Sequence, residues 1–476
     1  MFKSDSNARI ALSLGIGVAL VYLALLPPQV NSPDAEAMVK VAESLVIDGS
    51  LTVPEELGLL APDGRYYSKW YPLLSFLAVP FVALGLAVAG IAGLPGHYVA
   101  VACALALTAL VIGATTSLVA LLVLRLGGTR KGACLAALGF AFGTFTVAYA
   151  RTFFAEPLLA LLTIGSLYLA LGDKKKEVIG TGLVTALAVL AKPTGVIVGP
   201  ILSAYLLLKK RPLKHVVVPT LGTLVGIGLY GVYNYIRFKN PTVTGQPANF
   251  RISAIPTGIL GLLVSPGRGL VWYCPPVILS VIGLRGAWRS KKLESLAIIA
   301  VFLGYLLIHS YRVRWFGGWS WGPRYIFPAL PLLMVLAGMV ERRWRKLLVT
   351  LCIVGFIVNS PTIVAFYQRY YAESHERGIP EKALHWAPSR SPLLHVWGAS
   401  SRQVRDALDS DVRDLIREAG KPGKTMTGRP TLRVVALWWW MLPAAGIPRW
   451  IGASFAFFVL AIGVWTIRRA MRFARE

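Results

Sequence analysis

Hydrophobic residues make up 55% of the 476-residue chain and charged residues only 15%, which excludes a water-soluble domain, whose core needs far fewer apolar side chains. The formal net charge of +27 is spread in short clusters between apolar runs instead of a tail or a domain, which speaks for membrane topology and against nucleic acid as a partner.

In chain order, "ALSLGIGVALVYLALL" (11–26), "VAVACALALTALVIGATTSLVALLVL" (99–124) and "LLVTLCIVGFIVNSPTIVAF" (347–366) approach or exceed the roughly 20 apolar residues that cross a bilayer as helix. They run continuously apolar, without the alternation of an outer-membrane barrel. The first run lacks a small-residue cleavage site and is followed by many more, so it reads as a retained helix. Cys103, Cys134, Cys274 and Cys352 lie in or beside apolar runs with no short-spaced pair, as buried thiols rather than disulfides or metal ligands.

The basic clusters set the expected topology. Lys3/Arg9, Arg125/Arg130/Lys131, Lys174 to Lys176, 209–215, 285–292, 341–346 and 468–476 all fall on the cytoplasmic side if roughly twelve spans run at 10–27, 99–124, 133–150, 157–172, 178–191, 194–208, 216–236, 269–284, 294–311, 325–340, 347–367 and 451–467. The apolar stretch 71–93, with Pro72 and Pro80 as breaks, is then re-entrant or interfacial. The reading is an all-α polytopic membrane protein with a cytoplasmic N-terminus: a transmembrane domain (1–367 and 451–476), a first outer loop (28–70) and an outer cap (368–450). In the cap, Val404, Leu408, Val412, Leu415 and Ile416 at helical spacing, closed by Gly420, predict an amphipathic helix lying on the membrane or capping the protein.

With this topology the polar chemistry collects on the outer face. Ser32 before Pro33, with Gly49 as a stop, predicts a helix over 33–48 in the first outer loop. Met38, Val41, Ala42, Leu45 and Val46 form its apolar stripe. Asp34 falls on that stripe and points at the membrane domain, as a first-turn acid on the helix dipole or as a general base at a cavity edge. Glu36 falls nearly opposite, beside Lys40 and Glu43, facing water.

Further along, Arg151 and Glu156 share a short outer turn, either as a snorkelling arginine with its partner acid or with Glu156 orienting the acceptor or the base. Lys192 in "LAKPTG" is flanked by apolar runs and calls for an anionic partner, a phosphate. In "YRVRWFGGWSWGPRY" (311–325), Arg324 is read as a lipid-phosphate ligand, with Arg312 and Arg314 as further candidates, since arginine binds phosphate oxygens bidentately. Trp319, Trp321 and Tyr325 offer aromatic faces for sugar rings. Arg268, in "SPGRGLVWYCPP", is another anion candidate.

In combination, "SPDAEAMVKVAESLVIDGS", "YYSKWYPLL", the Glu156 turn, "AKPTG" and "GGWSWGPRYIFPALPLL" resemble the polytopic GT-C glycosyltransferases, the class of the protein O-mannosyltransferases and the lipid A aminoarabinose transferases. Those families often carry adjacent Asp-Glu where Ala35 intervenes here, and a Lys-Pro-Pro-Leu that appears here as Lys69-Trp70-Tyr71-Pro72-Leu73. The absence of WWDYG argues against an oligosaccharyltransferase. The resemblance implies transfer of a sugar from a polyprenyl-phosphate donor to a lipid, glycan or protein hydroxyl at the outer face of the cytoplasmic membrane. Asp34 and Glu156 would be catalytic, Lys192, Arg324, Arg314 and Arg312 would hold the donor phosphate, and Glu36, Lys69, Arg151, Trp319, Trp321, Tyr325 and Arg268 would contact substrate. No cofactor is expected, and no His/Cys/Asp cluster has ligand spacing for a metal. The rival classes are a lipid or sugar transporter or flippase, whose polar sites sit nearer the midplane, and a scaffold whose arginines only anchor it.

Overall fold

The computed structural model describes residues 2–243, 249–418 and 429–474. α1 (Phe2–Ala24) carries the first apolar run and leads into α2 (Pro33–Ile47). Ser32 Oγ accepts from the Asp34 N–H at 3.3 Å, Pro33 occupies the first turn, and the helix stops before Gly49, whose φ of +68° suits glycine. A two-residue hairpin, Leu59–Leu60 against Tyr66–Tyr67, follows in the same loop.

α3 (Pro72–Ala92) and α4 (Gly96–Arg125) come next. The prolines do not break α3 as the sequence reading expects: Pro72 sits at its start and the helix runs on through Pro80. By length and composition α3 is one of seven helices among the described residues able to cross a membrane. Yet both its ends lie at one end of the bundle. Tyr71 packs on Tyr230 (6.2 Å between ring centroids) and Phe76 on Tyr233 (5.8 Å), near the end of the Leu213–Phe238 helix, while His97 in the first turn of α4 pairs with Glu36 and Glu43 of α2. The chain therefore leaves and returns on the same side.

Hydrogen bonds sort the helix ends into two groups. At the basic end, Arg125 donates to the Tyr168 carbonyl, Lys209 pairs with Glu294 at 2.6 Å, Arg211 pairs with Asp173, and Arg345 donates to Thr129 at the start of α5 (Arg130–Phe142). At the other end stand α2, His97, Glu156, Lys192, Arg237 and Arg324. Small residues let the helices between approach closely: a Cβ on Gly15 would lie 2.5 Å from the Gly113 carbonyl oxygen, and one on Gly222 would lie 2.0 Å from that of Gly182. Leu221, Leu224, Phe455, Phe457 and Trp465 are exposed on the outside of their helices, as a lipid surround requires. Cys134 and Cys274 are buried, and all four cysteines are free.

The cap corrects the sequence in one respect. The single amphipathic helix is two, Pro392–Leu408 and Val412–Glu418, because Asp411 accepts from the Arg413 N–H at 2.7 Å and starts a new helix. Ala407, Val412 and Leu415 pack on Val434, Val435 and Trp440, so this face closes on the protein and not on a membrane. Gly420 lies outside the described residues. Arg151 ties the cap to the bundle: its buried guanidinium donates to the Leu25 carbonyl at 2.5 Å and to those of Thr362 and Ala436. Those carbonyls belong to the end of α1, a turn after the Arg345–Asn359 helix, and the irregular segment before Trp438, whose N–H donates to the Leu26 carbonyl. Arg151→Ala orphans two buried carbonyls and a part-buried one, each buried one costing about 1–3 kcal/mol. The expected outcome is a lower melting temperature and faster protease cleavage within the cap, read by differential scanning fluorimetry and limited proteolysis.

Candidate active site

α2, the loop before α3, the Lys192 turn and the 311–325 loop enclose a cavity of about 310 Å³ at the end opposite the basic clusters, lined among others by Asp34, Lys69, Lys192, Arg312, Arg314 and Arg324. Its centre is a chain of charges. Glu156, fully buried in the first turn of the Ala155–Ala170 helix, accepts from Lys192 Nζ at 2.7 Å and from Arg324 Nε at 2.7 Å through the same oxygen. Arg324 Nη1 then reaches Asp34 Oδ2 at 3.1 Å. Asp34 is thus oriented through one oxygen while Oδ1 has no hydrogen-bond partner among the described residues. The Arg324 guanidinium also stacks 3.9 Å from the Phe154 ring, which limits its freedom on the remaining side.

Local sequence explains each position. Lys192 ends the Lys175–Ala191 helix because Pro193 cannot continue it, and extended backbone swings the side chain inward. Gly317 and Gly318, at φ +76° and +70°, turn the loop back over the cavity they line. Tyr325 stacks flat on His309 (4.3 Å, 5°), and its other surroundings include Lys192 at 4.8 Å and Arg312 at 5.1 Å from its ring. The site holds five cations against two carboxylates, and Lys69, Arg312 and Arg314 have no carboxylate partner among the described residues. Such an excess in a partly dehydrated cleft attracts an anion.

Several residues expected to contact substrate do other work. Arg151 is the cap clamp and does not pair with Glu156, which removes the snorkelling reading of that turn. Arg268 is buried under Tyr371 and donates to the carbonyls of Gly318 (2.5 Å) and Ser320, fixing the glycine turn from behind. Trp321 is buried with its indole N–H on Asn359 at 2.6 Å, and Trp319 stacks on Tyr371 of the cap. Glu156 backs the cavity without lining it, and its carboxylate is engaged by Arg324 and Lys192. Glu36 is only part-exposed, because its carboxylate meets His97 Nε2 at 3.1 Å. Trp70 and Tyr71, inside the YYSKWYPLL motif, and Asn249 line the cavity without being among the expected site residues, since aromatics at a membrane interface are ordinary by type.

The sequence matches no protein-family model, and no curated protein matches it. Among solved structures, that of ArnT from Cupriavidus metallidurans bound to undecaprenyl phosphate aligns at 17% identity over 96% of this chain and 77% of that one, with a TM-score of 0.51. The two chains share a fold. The apo form of the same ArnT aligns at 16% identity over the same shares, with a TM-score of 0.49. The oligosaccharyltransferase AglB from Archaeoglobus fulgidus, in complex with an inhibitory peptide and a dolichol-phosphate, aligns at 12% over 86% of this chain and 58% of that one (TM-score 0.44).

Within this fold, α2 is held to α4 by a second polar cluster. Glu43 Oε1 meets His97 Nδ1 at 2.6 Å, and Lys40 Nζ meets Glu43 Oε2 at 2.6 Å. Burial alone would raise the Glu43 carboxyl, but hydrogen bonds from His97 and Lys40 outweigh it and hold it below the ordinary carboxylate range. A depressed carboxyl contributes stability that is fully present above its unfolded value, about 4.3, and is lost as pH falls from there through its lower folded value. Glu43→Gln is therefore expected to melt several degrees below the parent at pH 7, and the gap should persist to about pH 4 and close only as pH falls further. A gap independent of pH would remove the ionic account of this latch.

Proposed function

We propose that the protein transfers a sugar from a polyprenyl-phosphate donor to an acceptor hydroxyl, with inversion, at the outer face of a cytoplasmic membrane. The observation that carries this reading is the meeting of Asp34, with one unengaged oxygen, and three acid-free cations in a single cleft. A bilayer placement with the basic end in the cytoplasm puts that cleft outside.

The chemistry follows from the side chains. Asp34 takes the proton of the acceptor hydroxyl as its oxygen attacks the anomeric carbon. The bond from that carbon to the lipid-phosphate oxygen breaks on the opposite face, and its electron pair leaves with the phosphate. Lys69, Arg312 and Arg314, with Lys192, face the charge that grows there, and fixed cations stabilise it without reorganising. Arg324 holds Asp34 in place and keeps Nη2 for the phosphate. Tyr325, Trp70 and Tyr71 offer ring faces to the sugar. The five cations supply the electrophilic help, and we propose a reaction that needs no metal.

Purified protein, given a panel of radiolabelled polyprenyl-phosphate sugars and membrane acceptors, is expected to transfer from at least one donor, and to go on doing so in EDTA. Asp34→Asn should lower turnover by about 10²–10⁴-fold. Equal turnover in the variant would move the base elsewhere. Vectorial movement of donor across a vesicle without transfer would support a transporter.

A further inference from the structure

A larger cavity, about 710 Å³, opens at the basic end. It lies between α5 and the Arg345–Asn359 and Arg449–Phe473 helices. Its walls are apolar, built from Cys134 and Leu135 on α5, Val349, and Met471 with Ala474, whereas its polar rim is cationic: Lys131, Arg345 and Lys346. No Asp or Glu lines it among the described residues.

Three features distinguish this rim from an ordinary solvated cluster. Arg345 is half-buried, spends Nη2 on Thr129 Oγ1 at 2.8 Å, and leaves Nε buried with no hydrogen-bond partner. Lys131 and Lys346 are exposed and form no ion pair among the described residues, although other basic residues at this end are paired, as Lys209 is with Glu294 and Arg211 with Asp173. α5, capped by Thr129, begins here, and the Arg345–Asn359 helix follows directly on a 3-10 turn at Arg342–Trp344, so both point their positive dipole ends toward the same rim. An apolar slot open to the lipid-facing side, with cations at its mouth, matches a molecule with an anionic head and a hydrocarbon tail.

We propose that this cavity is a binding site for an anionic membrane phospholipid, its phosphate on Lys131, Arg345 and Lys346 and the upper part of an acyl chain along Leu135, Val349 and Met471. The occupant is distinct from a polyprenyl-phosphate donor for the Asp34 cleft. Lipid held here would sit at the opposite end of the bundle, where no sugar could reach Asp34. The inference is independent of the transfer reading, since it rests on residues that take no part in it.

The test uses the full chain in phosphatidylcholine nanodiscs, titrated with phosphatidylglycerol and read by native mass spectrometry of the retained lipid. The wild type is expected to retain phosphatidylglycerol in preference to phosphatidylcholine. Lys131→Gln/Lys346→Gln, both at exposed positions, should weaken retention about fivefold per lysine, roughly 25-fold for the pair. Lys175→Gln/Lys176→Gln, exposed at the same end but outside the cavity, should leave it unchanged. Equal loss in both pairs would reduce the effect to general surface attraction and overturn the site, as would no preference in the wild type. Displacement of the lipid by millimolar inorganic phosphate alone would make the occupant a soluble anion and overturn the lipid assignment.

Discussion

One guanidinium joins the parts of the site. Arg324 reaches Glu156, 168 positions away in sequence, and Asp34, 290 positions away, and in doing so brings the first outer loop, a helix start and the 311–325 loop to a common point. Glu156 is fully buried, and a buried carboxylate without cations is prohibitively costly. The cations it needs are the ones that line the cleft. Removing either kind of partner leaves the other as an uncompensated buried charge, so the local fold and the electrostatics of the cleft are the same constraint. Around that core, Arg268 fixes the glycine turn from the cap side, and the His97 cluster fixes α2 from the α4 side.

Division of labour among cations is what gives the cleft a chemical direction. Lys192 and Arg324 are tied to Glu156, whereas Lys69, Arg312 and Arg314 have no acid partner among the described residues. The first pair sets geometry, and the second group supplies net positive charge. In the proposed reaction, a single carboxylate with a free oxygen at the edge of such a field accepts the proton while an anion forms on the other side. The same sorting by end separates this cleft from the basic rim between α5 and its neighbours, where apolar walls replace the acid.

Much of this was legible before the structure. The Ser32-Pro33 start fixed α2, and helical phase alone aimed Asp34 at the membrane domain, because cap chemistry and a 100° step are local properties. Lys192, Glu156 and Arg324 stood out as charges in apolar surroundings, although which pairs with which needed the tertiary fold. The misreadings share a cause. Arg151 and Arg268 bond main-chain carbonyls, partners that carry no residue-type signal, and Trp321 meets the side chain of Asn359, 38 positions away. Glu36 was assigned to water because a helical wheel sees one helix, and His97 lies in another. The break at Asp411 was hidden because the apolar phase continues across it while the side chain caps a new helix.

In the proposed reaction the free arginines of the cleft hold the lipid phosphate while Asp34 acts only as the base. Equilibrium binding of sugar-free polyprenyl phosphate to the purified protein separates these two roles. Arg312→Gln/Arg314→Gln is expected to weaken binding by about a hundredfold or more, at roughly 1.5–3 kcal/mol per charged hydrogen bond lost, while Asp34→Asn binds no more weakly than the parent. Undiminished binding in the double variant, or loss of binding in Asp34→Asn, would contradict this division of roles.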